Sequence, residues 1–414
     1  MTKKALTLSI CLAAALLGGC SRGEIGTLVE PIPAPPQYDR PLPEGQLALR
    51  KITNLGEIPD FTEACRDVAG LKQAVANSLH YLAKPSSRQF FPYGDISHQQ
   101  VVDSLRAFDQ LLDANLTPKQ MNAELRRLFD VYTSVGWDGS GTVWFTGYYT
   151  PIFDGSLTRT DRFRWPLYKE PANLVKDGEG DVLGLRSPGG AIIPCKSRRE
   201  LEQSGELAGS ELAYLADPFQ AYIAQVQGSA KLRLADGRMI TVGYAANNGH
   251  DYVSVAKELV KDGKISASVL SLQAMIDYFR IHPNEVVGYT WRNPRYVFFA
   301  IEEGAPRGCL NEPVTPLRTV ATDKSIFPRA AIAFVSTALP THIDGAIQPR
   351  PYRGFALDQD AGGAIRAAGR CDIYMGIGEQ AGELAGRTQQ EGRLYYLILK
   401  PASPAPAMPT AAGH

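Results

Sequence analysis

The chain has 414 residues, 44% of them hydrophobic, which is enough apolar material to fill the cores of two domains. Its 43 basic and 43 acidic residues cancel, so the basic excess expected of a nucleic-acid binder is missing. Abundant Gly and Pro, with 18 Tyr, suit β-structure joined by many turns.

In chain order, Lys3 and Lys4 precede the apolar run Ala5 to Leu17, the pattern of a secretory signal too short to span a bilayer as a lasting anchor. The segment ends Leu17-Gly18-Gly19-Cys20, which resembles a bacterial lipobox. Cys20 is therefore expected to carry lipid as the first mature residue. Ser21, rather than Asp, follows it, and by resemblance to sorted lipoproteins this points to the outer membrane. Cys11 leaves with the signal, and four further cysteines remain, Cys65, Cys195, Cys309 and Cys371, without CxxC spacing, so no zinc site is expected. A periplasmic location permits disulfides, and the three possible pairings stay open. Ser21 to about Gly45 reads as a linker, because its six prolines from Pro31 to Pro43 keep it extended and unable to pack. The tail Pro401–His414 is rich in Pro and Ala and is expected to be disordered.

Three helices follow the linker. Ala64, Val68, Leu71, Val75, Leu79 and Leu82 recur at helical spacing. Ser97 and Gln100 make a capping-box pattern before Val101, Leu105, Phe108 and Leu112. Thr117, Pro118 and Gln120 open a third helix, with Met121, Leu125, Leu128 and Phe129 on one face. After Gly136 the pattern turns to β. Residues 142–151 read as a strand, Ala221 to Gln227 as another, and Lys231–Leu234 with Met239–Tyr244 as a hairpin around Asp236-Gly237. Helices are expected near Val253–Lys261 and Val269–Arg280. Further strands are expected at Tyr296–Ala300, Ala331–Val335, Ile373–Met375 and Leu394–Leu399. Helices flanking a β-rich body predict an α+β class with one or two barrels.

Several motifs do not survive inspection. Gly19-Cys-Ser-Arg-Gly23 matches GxSxG but lies at the lipidation site, not on a strand-to-helix elbow. Gly376-Ile-Gly378 begins a loose dinucleotide fingerprint with no βαβ unit after it. Asp358-Gln-Asp360 starts like a calcium loop, yet Gly369 stands where the closing Glu belongs. The histidines are scattered, so neither a metal nor another cofactor is expected. What remains is a set of carboxylates. Asp358, Asp360 and Asp372 fall within a span of fifteen residues around a glycine-rich turn. Asp372 sits in the apolar run Cys-Asp-Ile-Tyr-Met, where an aspartate is costly unless paired, hydrogen-bonded or protonated. A carboxyl held protonated is what a general acid needs, while a turn-capping role is the plainer alternative. Asp323, in the run Val320 to Pro328, adds a third carboxylate that can converge from a separate strand. Paired carboxylates fit glycosidic chemistry. Thr146, Tyr148, Gln227 and Ser229 are candidate liners of a sugar groove.

Phe145-Thr-Gly-Tyr-Tyr-Thr-Pro151, Gln225-Val-Gln-Gly-Ser229, Asp236-Gly-Arg238, Val242-Gly-Tyr-Ala245, Asn248-Gly-His250, Asn293-Pro-Arg-Tyr-Val-Phe-Phe299 and Asp360 to Gly386, in this order, resemble the membrane-bound lytic transglycosylase A family. The likeness runs from about Gly136 to Lys400. Its C-terminal part is similar to the 3D domain, named for three aspartates, which fall here on Asp323, Asp360 and Asp372. The resemblance implies a double-psi β-barrel domain (residues 46–151 and 303–400, N-terminal helices included) with a second β-barrel inserted at residues 152–302 and a substrate groove between them. It implies that Asp372, in the D-I-Y segment, is the single acid/base, that Asp360 orients it and tunes its pKa, and that Asp323 supports the site. The glycine usual after Pro in the first aspartate motif is replaced by Arg329-Ala330, which puts a turn near Asp323 in question.

The implied reaction cleaves peptidoglycan between N-acetylmuramic acid and N-acetylglucosamine and leaves a 1,6-anhydro end, with glycan strands and possible wall-synthesis proteins as partners. A hydrolase using Asp360 and Asp372 together is the nearest alternative. A non-catalytic wall-binding lipoprotein and a structural outer-membrane tether are the others.

Overall fold

The computed structural model describes residues 36–178 and 180–401, so Cys20, most of the linker and the tail from residue 402 lie outside the described residues. Among the described residues, no helix is long and apolar enough to cross a membrane. Three strands lead, β1 (Leu49–Lys51), β2 (Phe129–Ser134) and β3 (Val143–Thr150). A middle group follows: β4 (Ile152–Ser156), β5 (Trp165–Tyr168), β6 (Leu174–Lys176), β7 (Val182–Arg186), β8 (Ile192–Ile193), β9 (Glu211–Leu215), β10 (Ser229–Arg233), β11 (Met239–Asn247) and β12 (Val297–Glu302). The chain ends in β13 (Thr319–Ala321), β14 (Ile332–Ile343), β15 (Ala346–Asp360), β16 (Arg370–Ile377) and β17 (Gln389–Leu399).

The first and last groups form one sheet, ordered β1-β2-β17-β14-β15-β13-β16-β3. β3 also pairs with β17, so β17, β14, β15, β13, β16 and β3 close into a six-stranded barrel with β2 and β1 as an extension. The pairs β13–β15 and β16–β3 are parallel, while β13–β16, β14–β15, β14–β17 and β17–β3 are antiparallel. Parallel neighbours need a long crossover, and the one joining β3 to β16 contains the whole middle group. There β12-β11-β10-β4-β9-β5 make a second sheet, and a bridge between Lys169 and Phe299 curls its two ends together. This is the expected α+β, β-rich architecture, a double-psi β-barrel carrying an inserted second β-barrel. β6, β7 and β8 add a small separate sheet.

Alternation explains the first barrel. Val143, Phe145, Cys371 and Ile373 are fully buried and pack into one core, while Trp144, Thr146, Arg370 and Asp372 between them keep accessible edges. On another side, Phe61 and Phe108 from the N-terminal segments pack on Phe355 of β15, with the Phe61–Phe334 and Phe108–Phe355 rings 4.9 and 5.2 Å apart. Burial of each such ring contributes roughly 1.5–3 kcal/mol. Phe108 belongs to the helix His98–Asp113, which lies between the helices Leu71–Ala83 and Pro118–Leu128 in the chain, and Phe61 precedes all three.

Four expectations need correction. The first helix starts at Leu71, not Ala64, because Gly70 adopts φ +75° and leaves Ala64–Arg66 as a separate 3-10 turn. Ala221–Gln227 is not a strand. It belongs to the helix Pro218–Gln227, which Asp217 caps by accepting from Phe219 N and Gln220 N, with Pro218 in the first turn and left-handed Gly228 at the end. Asp217→Ala is expected to cost ~1 kcal/mol locally, read as roughly five-fold faster amide exchange at Phe219 and Gln220. The linker ends before Gly45, since Tyr38 stacks on Trp144 at 5.0 Å and Asp39 pairs with Arg370 at 2.8 Å. Its prolines stiffen the chain, but one aromatic and one charged side chain are enough to fasten it. Finally, β14 and β17 outrun the short apolar cores that announced them, the outer half of β17 being polar and only partly buried, and β15, whose outer half is largely exposed, was not expected as a strand.

The turn at the family's missing glycine does carry a backbone cost. Ala330 adopts φ +63°, the region that glycine occupies freely and that costs another L-residue roughly 1–2 kcal/mol. Its N–H donates to the Asp358 carbonyl at 2.8 Å, which holds the turn in place.

Candidate active site

β3 and β16 run parallel with Trp144 opposite Arg370, Thr146 opposite Asp372 and Tyr148 opposite Tyr374. Residues two apart on a strand share a face, so these six side chains form three rows on the side of the sheet away from the buried Phe145 and Cys371. In the middle row, Thr146 donates from Oγ1 to Asp372 Oδ1. Beside it, the Tyr148 ring lies 5.1 Å from that of Tyr374, and its hydroxyl donates to Asp360 Oδ2 at 2.7 Å.

Asp360 reaches this face through a break in register. Between β13 and β15, Val320 pairs with Asp358 but the next residue, Ala321, pairs with Asp360, so Gln359 is the extra residue of a bulge. Across its other edge Ala321 pairs with Asp372, so the two carboxylates flank one residue. Without the bulge, Asp358 and Asp360 would share a face. With it, Asp358 turns to the side of Cys371, fully buried and bound to Thr322, Lys324 and Tyr396 (Tyr396 OH to Oδ2, 2.7 Å). Asp360 is held differently. Its Oδ1 accepts from Cys309 N and Ala361 N, each at 2.8 Å. Gly308 permits this approach, since a Cβ there would lie 2.7 Å from the Gln359 carbonyl oxygen and 3.0 Å from Asp360 Cγ.

Both carboxyls sit above the usual carboxylate range. For Asp372, burial is the main cause and the neighbouring Asp360 adds to it, against the Thr146 hydrogen bond and the Arg370 charge. For Asp360, burial again leads, opposed by the bonds from Tyr148, Ala361 and Cys309. Burial and the Asp360 charge push the Tyr148 phenol well up, so it remains a donor. The chemical consequence is a carboxyl that holds its proton more tightly than a free aspartate, with an accessible edge, next to a second carboxyl that accepts hydrogen bonds at both oxygens.

The structure thus brings Thr146, Tyr148, Asp360 and Asp372 together. It does not bring Asp323 to them. That carboxylate accepts from Ser325 N and Oγ and from Ala367 N at 2.9 Å, fastening the turn after β13 to the loop before β16. Gln227 accepts from Tyr149 N at 3.1 Å, and Ser229 Oγ lies 3.2 Å from Thr150 Oγ1, so these two tie the inserted segment to the end of β3. Thr150 continues to the Tyr374 hydroxyl at 3.0 Å. Sequence reasoning missed Trp144, Arg370 and Tyr374, although each stands two residues from a site residue it did find. Among the described residues the four cysteines are unpaired, and no group of three or more His, Cys, Asp or Glu is placed to hold a metal ion.

Comparison with known proteins agrees with this construction. Residues 144–300 match the family described as the MltA specific insert domain, and residues 318–398 match the 3D domain. The site therefore lies where the two descriptions meet, with Thr146 and Tyr148 in the first and both carboxylates in the second. The membrane-bound lytic murein transglycosylase A of Escherichia coli K12 is 31% identical over 278 residues, 66% of this chain and 70% of that protein. Its counterpart in Vibrio cholerae is 29% identical over 269 residues, 64% and 68% of the two chains. Among solved structures, a membrane-bound lytic murein transglycosylase from Agrobacterium tumefaciens superimposes with a TM-score of 0.70 at 26% identity, covering 85% of this chain and 98% of that one. Escherichia coli MltA with bound chitohexaose gives 0.63 at 25% identity, covering 89% and 97%. Fold and site define a lytic murein transglycosylase, a lyase. The chain belongs to the membrane-bound lytic murein transglycosylase A family.

Proposed function

We propose that this enzyme cleaves the β-1,4 bond between N-acetylmuramic acid and N-acetylglucosamine in peptidoglycan, using Asp372 alone as acid and then base. The observation that carries the reading is the buried, protonation-favouring setting of Asp372 against Thr146. Protonated Asp372 donates to the glycosidic oxygen, and positive charge develops at the anomeric carbon. The carboxylate left behind takes the proton of the muramic acid C6 hydroxyl. That oxygen closes onto C1, and the product carries a 1,6-anhydro ring. Proton and bond counts balance with no water consumed, so the groove has only to keep water from C1. Asp360 and Tyr148 fix the neighbouring row. Asp360 accepts from Tyr148 at Oδ2 and from Cys309 N and Ala361 N at Oδ1, so it is fixed in place beside Asp372.

Chitohexaose bound to the Escherichia coli relative supports a glycan strand as the ligand. Relatives named as membrane-bound support the membrane location. The lipobox supports Cys20 as its lipid anchor, in the outer membrane and facing the periplasm.

The test is mass spectrometry of muropeptides released from purified sacculi by the full chain in detergent. Anhydro-ended products from the wild type, absent with Asp372→Asn, are expected. Reducing ends would instead mean hydrolysis.

A further inference from the structure

The row beside Asp372 is occupied by the chain's own N-terminal segment. Residues Gln37 to Arg40 make a turn closed by Arg40 N donating to the Gln37 carbonyl at 3.0 Å. Tyr38 stacks on Trp144 with ring centroids 5.0 Å apart and planes 23° apart, and meets Trp137 edge-on at 5.9 Å. Its hydroxyl donates to Glu391 Oε1 at 2.7 Å. The seat is shaped for it, because a Cβ on Gly369 would lie 2.5 Å from the Tyr38 carbonyl oxygen.

The strap also delivers a charge. Asp39 Oδ1 accepts from Arg370 Nη1 at 2.8 Å, and Arg370 Nη2 reaches Thr146 Oγ1 at 3.4 Å. Arg370 is 14% exposed in its side chain, Asp39 51%. Its Nε is buried and makes no hydrogen bond among the described residues. Arg370 stands one row from Asp372, yet its ion pair is with Asp39.

We propose that the strap Gln37–Arg40 is a positioning element for the reaction, in which Asp39 holds the Arg370 guanidinium against Thr146 and away from a direct ion pair with Asp372, keeping that carboxyl protonated for the acid step. This rests on the reading of Asp372 as the acid. The charged and titratable groups that bear on Asp372 and Arg370 come from every side. Tyr148 on β3, Asp360 on β15, and Arg370 and Cys371 on its own strand act on Asp372. Asp39 and Tyr252 bear on Arg370, and Lys324 bears on Asp360. Of these, Asp39 is the one carried by the strap. Releasing it leaves the Arg370 charge less compensated and free to turn to Asp372, which favours the ionised carboxyl. Removing Arg370 favours the protonated form. The two substitutions on one ion pair therefore act with opposite sign, which a loss of packing cannot imitate.

The test uses the full chain in detergent and two readouts. One is the pH dependence of kcat/KM, whose alkaline limb follows ionisation of a general acid. The other is the carboxyl carbon of Asp372, followed by NMR in aspartate-labelled protein and assigned by its loss in Asp372→Asn. Because Asp39 is half exposed, water screens the pair and the effect is modest. Asp39→Asn is expected to move both midpoints to lower pH by on the order of half a pH unit, about a three-fold change in the protonated-to-ionised ratio. Arg370→Gln is expected to move both upward, the double variant to follow Arg370→Gln, and Asp39→Glu to restore the wild-type profile. Unchanged midpoints in Asp39→Asn, or a shift in the same direction as Arg370→Gln, would overturn the proposal. A carboxyl midpoint that moves as expected while the activity profile does not follow would keep the strap's hold on Arg370 and overturn the assignment of Asp372 as the acid.

Discussion

Asp372→Asn is expected to lower kcat by ~10²–10⁴-fold, the usual loss with a general acid, and to fall at or beyond the upper end because one carboxyl serves both proton transfers. In barrier terms this is roughly 3–5 kcal/mol. The amide keeps the shape of the carboxyl and can accept the Thr146 hydrogen bond through its oxygen, so substrate binding should change little. KM should therefore stay near its wild-type value while kcat collapses. Asp372→Ala gives the same loss if acid/base work is the reason, and single-turnover release of anhydro-muropeptides measures both. A drop of less than ten-fold would remove Asp372 from the acid/base role.

The same variant carries a stability signature of known sign. Burial raises the folded-state pKa of Asp372 above its unfolded value. Between those two values the folded chain binds more protons than the unfolded one, so stability declines as pH rises through the window and stays lower above it. Asn has no charge to desolvate. Asp372→Asn should thus melt above the wild type at neutral pH, by ~1 kcal/mol, and the difference should close below the ordinary carboxylate range. Activity and stability move in opposite directions at one residue, which is the behaviour of a site kept at a cost to the fold.

What the sequence disclosed of this site, and what it withheld, follows from the physics of strands. Apolar alternation around Asp372 and Thr146 announced both strands, because period two is local information. The bulge at Gln359 was not local information. Spacing alone puts Asp358 and Asp360 together, and only the pairing with Val320 and Ala321 separates them. Asp323 shows the opposite limit, since its position in the motif was plain but its partners, Ser325 and Ala367, lie in a turn and a distant loop. The apolar content of Ala221–Gln227 suits a strand, but the caps Asp217 and Gly228 on either side make Pro218–Gln227 a helix. The strap was invisible because prolines mask the two residues, Tyr38 and Asp39, whose partners lie far away in sequence.

The largest stability effect should come from a residue outside the groove. Asp358 is fully buried, and the Lys324 side chain is 7% exposed. Lys324 Nζ donates to Asp358 and, at 2.9 Å, to Thr322 Oγ1, while Thr322 and Tyr396 donate to the same carboxylate. The cluster joins the end of β13 to β17 across the barrel. Lys324→Met removes the cation and leaves an uncompensated carboxylate in the core, which costs about 3–5 kcal/mol. The two remaining hydroxyl donors lessen that penalty without cancelling a full charge. Asp358→Leu combined with Lys324→Met removes both charges together and should be milder than Lys324→Met alone, because neither partner is left unpaired. Urea unfolding of the single and double variants separates these outcomes. If Lys324→Met unfolds within about 1 kcal/mol of the wild type, water reaches Asp358 and the barrel does not depend on the pair.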